Sequence, residues 1–339
     1  MKALVIGGTR NLGPALVKAL VAAGYQVTVF NRGQTPGALP AEVERLYGDR
    51  SDFHQLAAAL AGRSFDLVVD TTLYNGPDAE AATRILGGRV GRYVFLSSGQ
   101  VYLVRIGPER PFREEDYDGP VMARPPERDA YDLANWLYGA EKRDAEDAFS
   151  RAWVERRFPL TSLRLPNVNS ERDHRERIWG YLARLQDGGP ILVPEGPGLP
   201  LRHVYGDDVV QAVLRLARSD TGMGRAYNIG QDDTLSIDEF LPLLASLARR
   251  PLRIVRLPRE RLEAERLLPA CSPFSDSWMS CLDNRRSKQE LGMVYTPFAS
   301  YLGRIVTHYS EHPPALPEGY RRRPVERALA EAAARSGAA

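Results

Sequence analysis

The first 30 residues combine a short apolar run, a glycine-rich segment and a helical pattern, and this order constrains the fold more than any other feature. Residues 3–6 are apolar, residues 7–13 read Gly-Gly-Thr-Arg-Asn-Leu-Gly, and apolar residues then recur at helical spacing as far as Gly24. A second apolar, β-branched run at 26–30 completes a strand, helix, strand unit. Two strands joined by a helix lie parallel, so the chain is predicted to contain a parallel sheet.

Further β-branched runs alternate with helical patterns at 67–69, 93–96 and 160–165, and another strand is predicted at 44–47. This alternation predicts an α/β fold with a doubly wound parallel sheet of the Rossmann type over residues 1–165, with returns to it near 203–230. Beyond residue 165 the chain is rich in Pro and Gly, which predicts a smaller C-terminal lobe for substrate over 166–320. Residues 321–339 are expected to form a tail whose arginine run, 321–323, is solvated.

The charges and cysteines restrict the partners and the compartment. With 45 basic and 43 acidic residues, the net charge of +2 gives no bulk support for nucleic-acid binding. Two cysteines cannot form a disulfide framework, and the charge-free runs are shorter than the about twenty apolar residues of a membrane span. We therefore expect a cytoplasmic protein with no membrane partner. His308 and His312 have metal-ligand spacing, but Pro313 ends the helix and no third ligand is evident, so no metal is expected.

The glycines after the first run point to a dinucleotide. They permit a tight turn and let the backbone approach a pyrophosphate, which then lies at the N-terminus of the following helix. The predicted cofactor contacts in this segment are Gly7, Gly8, Thr9, Arg10, Asn11, Leu12 and Gly13. The alternative is a tight turn that binds nothing.

The end of the second run indicates which dinucleotide binds. An NAD site carries an acid here for the ribose 2′-hydroxyl. This chain instead has Asn31, which does not repel a phosphate, and Arg32, whose planar fork suits a 2′-phosphate. NADP is therefore preferred, with NAD as the alternative and a merely solvated Arg32 as the other interpretation. Asp49 and Arg50 are added as cofactor contacts, although acids after strands are often turn formers.

Tyr138 and Lys142 are the candidate catalytic pair. They lie in a helical segment from about Asp129, the expected N-cap, to Phe149, and their spacing of four residues puts them on one face. An adjacent ammonium stabilises a phenolate, which prepares the tyrosine for acid-base chemistry. Ser98 follows the run at 93–96, at the strand end where ligands of open α/β sheets bind.

These segments resemble the extended short-chain dehydrogenase/reductases, also called the NAD-dependent epimerase/dehydratase family. Residues 98–102, 163–168, 203–209 and 227–230 match further segments of that family. The resemblance implies that Tyr138 is the acid/base, that Ser98 polarises the reacting oxygen, and that Lys142 assists the tyrosine and holds the nicotinamide ribose. The resemblance also implies a set of further cofactor contacts: Thr71, Thr72, Pro166, Asn167 and Val168.

By the same resemblance, six residues are candidates for substrate contact: Tyr74, Gln100, Tyr102, Asn167, Arg202 and His203. The alternative for His203 is a purely structural histidine. Residues 102–129 are rich in charge and proline. They form either a substrate-facing lid or a solvated loop.

Departures from the family pattern narrow the expected reaction. Arg10 stands where a glycine is usual, which resembles a Gly-Gly-Thr-Arg subgroup that includes chloroplast stem-loop-binding proteins. Gly99 and Gln100 replace the Asp-Glu pair of 4,6-dehydratases, so dehydration is disfavoured. Leu201 replaces an arginine that grips a diphosphate, which weakens the case for a nucleotide sugar.

Together these features predict an NADP-dependent oxidoreductase that transfers a hydride at a carbonyl or hydroxyl group of a small molecule, by ketone reduction or by sugar epimerisation. The alternative is an RNA-binding protein that keeps the fold and has little catalytic activity. The resemblance also implies a homodimer that pairs through the helix carrying Tyr138 and Lys142.

Overall fold

The computed structural model describes residues 1–35 and 37–336. The chain divides into two compact units. Unit 1 comprises Met1–Val168, Val204–Gly230 and Ser280–Tyr295, and unit 2 comprises Asn169–His203, Gln231–Met279 and Thr296–Ala339. Both units are therefore built from three separate stretches of chain. The return of 280–295 to unit 1 differs from the predicted boundaries, which assigned that stretch to the C-terminal lobe.

The strands of the described residues are β1 (Lys2–Ile6), β2 (Gln26–Asn31), β3 (Glu44–Tyr47), β4 (Phe65–Asp70), β5 (Val90–Ser98), β6 (Leu160–Leu165), β7 (Val168–Asn169), β8 (Ile191–Pro194), β9 (Val204–Tyr205), β10 (Arg225–Asn228) and β11 (Ile254–Leu257). Their helices are α1 (Gly13–Ala22), α2 (Phe53–Ala59), α3 (Gly76–Leu86), α4 (Gln100–Leu103), α5 (Ala130–Arg156), α6 (Arg177–Gln186), α7 (Gly206–Ala217), α8 (Ile237–Ala248), α9 (Arg259–Ala264), α10 (Arg285–Leu291), α11 (Phe298–Glu311) and α12 (Arg323–Ser336). Short 3₁₀ turns lie at Glu114–Tyr117, Pro273–Ser275 and Glu318–Arg322.

Unit 1 is built on a seven-stranded parallel sheet with the order β10-β6-β5-β4-β1-β2-β3. The order reverses at β1, which pairs with β2 on one side and β4 on the other. Ligands of doubly wound sheets bind at such a reversal, beyond the carboxyl ends of the strands. The predicted fold class is confirmed, and the predicted runs at 3–6, 26–30, 44–47, 67–69, 93–96 and 160–165 all lie in strands of this sheet.

Both faces of the sheet are buried, as the alternation within β1 illustrates. Ala3 and Val5 belong to the core that includes α1 and α7, whereas Leu4 and Ile6 belong to the opposite core with α3 and α5. Burying a large apolar side chain stabilises a fold by about 1.5–3 kcal/mol. A run that is apolar at every position is therefore the expected sequence of a central parallel strand.

Helix α5 extends further than predicted, from Ala130 to Arg156 rather than to Phe149. Asp129 occupies the N-cap position as expected, but its side chain makes no capping hydrogen bond to the described residues. Propensity patterns locate a helix better than they locate its ends.

The segment 102–129 is anchored on unit 1. Phe112 stacks on Tyr102 at a ring-centroid distance of 5.3 Å, and the Tyr117 hydroxyl donates to Asp147 Oδ1 at 2.8 Å. The Arg105 guanidinium donates to the carbonyls of Asp116 and Pro120. Between Arg105 and Pro120, Phe112 and Glu114 are buried whereas Ile106, Glu109 and Arg113 are exposed, so this part is anchored at some positions and solvated at others.

Unit 2 contains the parallel pair β8 and β11 among its helices. Its α12 is fixed by buried ion pairs, because Arg184 donates to both carboxylate oxygens of Glu326 and Arg323 binds both Glu326 and Asp187. The prediction of a solvated arginine run is thus wrong for Arg323, which is buried, while 337–339 lie outside the described residues.

Two features are absent from the part of the chain that the structure describes. No helix there has the length and apolar character to span a membrane. No cluster of three or more potential metal ligands occurs in residues 1–35 and 37–336. The rings of His308 and His312 stack with their centroids 5.2 Å apart.

The glycine-rich turn offers a direct test of the fold. A Cβ on Gly13 would lie 2.4 Å from the carbonyl carbon of Gly8, and backbone atoms cannot yield as a flexible side chain can. We expect Gly13→Ala to lower the free energy of unfolding by about 1–3 kcal/mol, measured by urea denaturation. Gly303→Ala is the control, because its Cβ would lie 3.9 Å from Leu247 Cδ2 in α8. Equal stability of the two variants would contradict the tight packing of the turn.

Candidate active site

The glycine-rich turn forms a narrow cradle between β1 and α1. Gly7 and Gly8 have φ values of +104° and +82°, which side chains other than hydrogen rarely allow. A Cβ on Gly7 would lie 2.2 Å from Thr71 Oγ1, so only hydrogen fits against the segment after β4. Helix α1 starts at Gly13 without a side-chain cap among the described residues. Such a terminus suits a phosphate, which a dinucleotide would supply.

The end of β2 holds the turn in place through Asn31. Its side-chain Nδ2 donates to the Gly7 carbonyl at 3.2 Å, and its Oδ1 accepts from the Gly33 amide at 2.8 Å. Arg10 Nε donates to Thr35 Oγ1 at 2.9 Å, which draws the Arg10 side chain toward the same loop. Arg32 is exposed and forms no hydrogen bond or ion pair within the described part of the chain. This rim therefore presents two guanidinium groups, at Arg10 and Arg32.

Arg50, predicted as a cofactor contact, is placed differently. Its side chain is 7% exposed, and its Nη2 donates to Asp70 Oδ2 at 3.0 Å, with Asp78 Oδ1 3.4 Å from Nη1. A guanidinium buried on two carboxylates has a structural role, so we correct that prediction. Asp49 lies at the turn after β3, where its Oδ1 accepts from the Ser51 amide at 2.9 Å. This contact is typical of the turn former that was the alternative for Asp49.

Thr71 and Thr72 lie beside the cradle. Thr71 Oγ1 donates to the Ile6 carbonyl at 2.9 Å, and the Thr72 amide donates to Asp70 Oδ1 at 3.0 Å. Both residues are therefore held at the carboxyl ends of β1 and β4, next to Gly7. Their position fits the predicted cofactor contacts.

Lys142 is the buried centre of the site. Its Nζ donates to the carbonyls of Leu73 at 2.6 Å and Leu96 at 2.9 Å, and its side chain is 3% exposed. Burial lowers the pKa of Lys142 to about 7, although the carboxylates of Asp70 and Glu146 act in the opposite direction. Lys142 is thus poised to change its charge near neutral pH.

Two tyrosine rings flank this ammonium. Lys142 Nζ lies 4.9 Å from the ring centroid of Tyr74 and 5.9 Å from that of Tyr138, and the two rings are 6.1 Å apart. Tyr138 is half-buried, and Tyr74 is 48% exposed. Both phenols therefore stand between the buried lysine and the outside of unit 1.

Ser98 ends β5 and is half-buried. Its Oγ accepts from the Gln100 amide at 3.2 Å, and Gln100 Nε2 donates to Asn135 Oδ1 in α5 at 3.1 Å. The Leu96 carbonyl that holds Lys142 lies two residues before Ser98 in the same strand. Unit 1 therefore brings Ser98, Tyr138 and Lys142 to the carboxyl end of β5.

Tyr102, predicted to contact substrate, is 1% exposed. Its hydroxyl donates to Asn228 Oδ1 at 2.8 Å and accepts from Arg164 Nη1 at 2.7 Å. Burial raises the pKa of this phenol. The prediction for Tyr102 is corrected, because the hydroxyl is already satisfied inside unit 1.

The other predicted contacts divide between the units. In unit 1, Pro166 is buried and the half-buried Asn167 and Val168 follow β6, where the Asn167 carbonyl accepts from the Val204 amide at 3.0 Å. In unit 2, Arg202 Nε donates to Thr234 Oγ1 at 2.9 Å.

His203 lies inside unit 2, with its ring against Phe274 at a centroid distance of 4.5 Å. Its Nδ1 is 3.1 Å from Asn169 Nδ2, an amide donor, so the ring proton belongs on Nε2. Burial lowers the pKa of His203 to about 3. These contacts fit the structural histidine that was the alternative to substrate contact.

Sequence reasoning missed the buried acids and arginines around the site, namely Asp70, Glu146 and Arg164. Arg164 binds both oxygens of Glu146. Two signals were present: Arg164 interrupts an otherwise uncharged strand, and Glu146 follows Lys142 by four residues on the same helix. Charged residues in such positions are rarely buried unless they are paired.

The comparisons with known proteins agree with this architecture. The model of the NAD dependent epimerase/dehydratase family matches residues 3–230. A 2'-dehydrokanamycin reductase of Streptomyces kanamyceticus is 26% identical over 266 residues, which cover 77% of this chain and 70% of that protein. The chloroplast stem-loop binding protein of 41 kDa b of Arabidopsis thaliana is 27% identical over 253 residues, which cover 70% of this chain and 60% of that protein.

A solved structure supports the fold. The dTDP-glucose 4,6-dehydratase of Streptomyces venezuelae, with NAD and TYD bound, has a TM-score of 0.70 and 20% identity, covering 92% of this chain and 98% of that one. At this identity the likeness concerns the fold alone.

A dehydratase also occurs among the curated relatives. The dTDP-D-glucose 4,6-dehydratase of Bos taurus is 23% identical over 199 residues, which cover 58% of this chain and 46% of that protein. The expectation that dehydration is disfavoured is therefore not supported.

The buried His203 gives a prediction for stability. The unfolded histidine titrates near 6.5 and the folded one at about 3, so between these values the unfolded state binds more protons. The free energy of unfolding should therefore fall by about 1.4 kcal/mol for each pH unit below about 6 on account of this residue. The free energy of unfolding of His203→Phe, measured by urea denaturation, should therefore fall less between pH 7 and pH 4 than that of the parent protein.

The exposed His54 provides the control. His54→Gln should keep the steep pH dependence of the parent protein. If His203→Phe and His54→Gln follow the same curve, His203 is not held neutral in the folded protein.

Proposed function

Because the chain belongs to the NAD dependent epimerase/dehydratase family, we propose that it is an NADP-dependent oxidoreductase that transfers a hydride at a carbonyl or hydroxyl group of a small molecule. The placement of Lys142 carries this proposal. A buried ammonium, held by two backbone carbonyls beside Tyr138 and the end of β5, has the position needed to support proton transfer by a phenol.

Three residues of unit 1 have separate roles in the reaction: Tyr138, Ser98 and Lys142. When bound, the nicotinamide supplies the hydride for a carbonyl carbon or accepts it from a carbinol carbon. In the reducing direction Tyr138 gives its phenolic proton to the carbonyl oxygen, which becomes the hydroxyl of the product. Ser98 donates a hydrogen bond to the same oxygen as negative charge develops there. The Lys142 ammonium stabilises the phenolate that Tyr138 leaves behind.

The preference for NADP rests on the rim at the end of β2. Arg32 is exposed, Arg10 is drawn toward the same loop, and no acid stands at the end of the strand. Asn31 is occupied in holding Gly7 and Gly33, so it supports the turn and leaves the 2′-phosphate to the arginines. Guanidinium groups bind phosphate through paired, charge-assisted hydrogen bonds.

The substrate is proposed to be a small carbonyl compound or a sugar. Tyr74 contributes a half-exposed phenol beside Lys142, and Gln100, Asn167 and Arg202 remain candidate contacts. The reductase among the relatives supports net reduction. Epimerisation would use the same residues but would return the hydride, so it would consume no NADPH. We also propose that the protein works in the cytoplasm as a homodimer that pairs through α5. Sedimentation as a monomer at micromolar concentration would contradict the dimer.

RNA binding is the alternative function, and the similarity to the Arabidopsis stem-loop binding protein is the reason to consider it. It is less supported, because Ser98, Tyr138 and Lys142 are all present and assembled at one strand end. Retention of RNA that weakens with salt and survives in Tyr138→Phe would favour this alternative. Its absence at low salt would exclude it.

Cofactor binding tests the role of Arg32. We expect the protein to bind NADPH more tightly than NADH, and Arg32→Ala to weaken NADPH by about 10- to 100-fold, since a charge-assisted hydrogen bond contributes about 1.5–3 kcal/mol. Nicotinamide fluorescence measures both dissociation constants. Arg218→Ala, which removes an exposed arginine at the end of α7, is the matched control and should leave NADPH binding unchanged. A preference for NADH that Arg32→Ala leaves intact would contradict the choice of NADP.

Turnover tests the role of Tyr138. With a carbonyl substrate found by screening, Tyr138→Phe should lower kcat by about 100-fold or more while NADPH still binds, because only the proton donor is lost. The loss of NADPH absorbance measures the reaction and separates reduction from epimerisation. Undiminished turnover in Tyr138→Phe would overturn the assignment.

A further inference from the structure

The buried ion pair of Glu146 and Arg164 lies next to the candidate catalytic residues. Glu146 is one helical turn beyond Lys142 on α5, and its carboxylate is buried. Oε1 accepts from Ser97 Oγ at 2.5 Å, and both carboxylate oxygens accept from the Arg164 guanidinium at 2.6–3.1 Å. The next residue after Ser97 is Ser98, and the residue before it, Leu96, supplies a carbonyl to Lys142.

Arg164 extends this arrangement across the sheet. It is opposite Ser97 in the register of β5 with β6, and opposite Asn228 in the register of β6 with β10. Its Nη1 donates to the Tyr102 hydroxyl at 2.7 Å and to the Glu114 carbonyl at 3.1 Å. Through one guanidinium, Arg164 on β6 thus connects α5, α4 and the anchored segment after α4.

A buried ion pair contributes little net stability, because desolvation offsets most of the attraction between the charges. Its geometry, in contrast, is restrictive, since every hydrogen bond fixes the angle of a planar group. This pair fixes the strand end that carries Ser98 and the helix turn that carries Lys142. Its position therefore indicates a role in aligning the site.

We propose that Glu146, held by Arg164 and Ser97, is a positioning residue that keeps Ser98 and Lys142 aligned and supplies a negative charge facing the Lys142 ammonium. This inference rests on the proposed function for its catalytic consequence. The electrostatic effect on Lys142 does not depend on catalysis.

The surroundings of Lys142 define what a change at Glu146 does. Asp70, at the end of β4, and Glu146, on α5, favour the charged lysine, whereas Arg50, after β3, disfavours it. The phenols of Tyr74 and Tyr138 complete the polar groups around it. Replacing Glu146 by Gln removes one of the two negative charges and leaves Arg164 without its carboxylate. Both effects lower the pKa of Lys142.

Direct titration of Lys142 tests this step without any substrate. The chain has only four lysines, Lys2, Lys18, Lys142 and Lys288, so protein labelled with ¹³C at lysine Cε gives a simple NMR spectrum in which Lys142→Arg identifies the signal. In Glu146→Gln the midpoint of that signal should move to lower pH by about one unit. An unchanged midpoint in folded protein would overturn the proposal.

Another buried Arg–Glu pair among the described residues provides the control. Glu326 and Arg184 in unit 2 are as buried as Glu146 and Arg164. Glu326→Gln removes the carboxylate that Arg184 binds, and it also removes one of the two carboxylates of Arg323, which keeps Asp187. This variant should leave the Lys142 midpoint in place. An equal shift in both variants would show a general loss of packing and would contradict a specific role for Glu146.

Ser97→Ala decides the matter if Glu146→Gln does not fold. It keeps the ion pair and removes only the link to β5, so kcat should fall about tenfold with KM unchanged, and the Lys142 signal should change its chemical shift. Ser162→Ala, a buried serine on β6, should do neither. If Ser97→Ala behaves like Ser162→Ala, the proposal fails. If the parent protein transfers no hydride yet Lys142 responds to Glu146→Gln, the proposed function fails and the electrostatic inference stands.

Discussion

The Lys142 ammonium is held by two carbonyl groups from different strand ends, and the rest of the site is arranged around this contact. The carbonyl of Leu73 follows β4 and that of Leu96 belongs to β5, so the lysine joins the two strands beside the point where the strand order reverses. The carboxyl ends of parallel strands lie at the same edge of the sheet. Helix α5 inserts a long cationic side chain at that edge. The phenols of Tyr74 and Tyr138 can flank the cation only because the sheet fixes it there.

Buried charge is costly, and unit 1 compensates for it locally. Asp70 is paired with Arg50 and hydrogen-bonded by the Tyr93 hydroxyl, while Glu146 is paired with Arg164. Each carboxylate near Lys142 therefore has its own arginine, and neither is committed to the lysine by a direct ion pair. A lysine in this setting is less firmly charged than one that shares a carboxylate. That balance suits the proposed role of Lys142, which is to support Tyr138 through a change of charge.

Much of the fold followed from local pattern. The apolar runs of unit 1 predicted the central strands because such strands are buried on both faces and are rich in apolar residues. The glycine-rich segment located the turn between β1 and α1. The spacing of Tyr138 and Lys142 predicted their shared helix face. Arg50 and Tyr102 were misplaced because a position near a strand end does not reveal whether the side chain points outward or into the protein.

The return of 280–295 to unit 1 could not be predicted, since it depends on contacts between residues far apart in sequence. Asn284 illustrates this, because its side chain donates to the Gly230 carbonyl. The burial of Arg323 was missed for a related reason. Arg323 pairs with Glu326 and with Asp187, and Asp187 is more than a hundred positions away in the sequence. In addition, a run of arginines is usually solvated.

The interleaving of the two units has a consequence for how the protein is made. Chains emerge from the ribosome N-terminus first, and contiguous domains can fold as they appear. Unit 1 lacks Ser280–Tyr295 until most of unit 2 has been synthesised. Arg184 of unit 2 cannot form its ion pair until Glu326 has been synthesised. Neither unit can complete its interior until most of the other has been synthesised. Protection of the nascent chain by chaperones should therefore matter more here than for a protein of the same size whose domains follow one another in sequence.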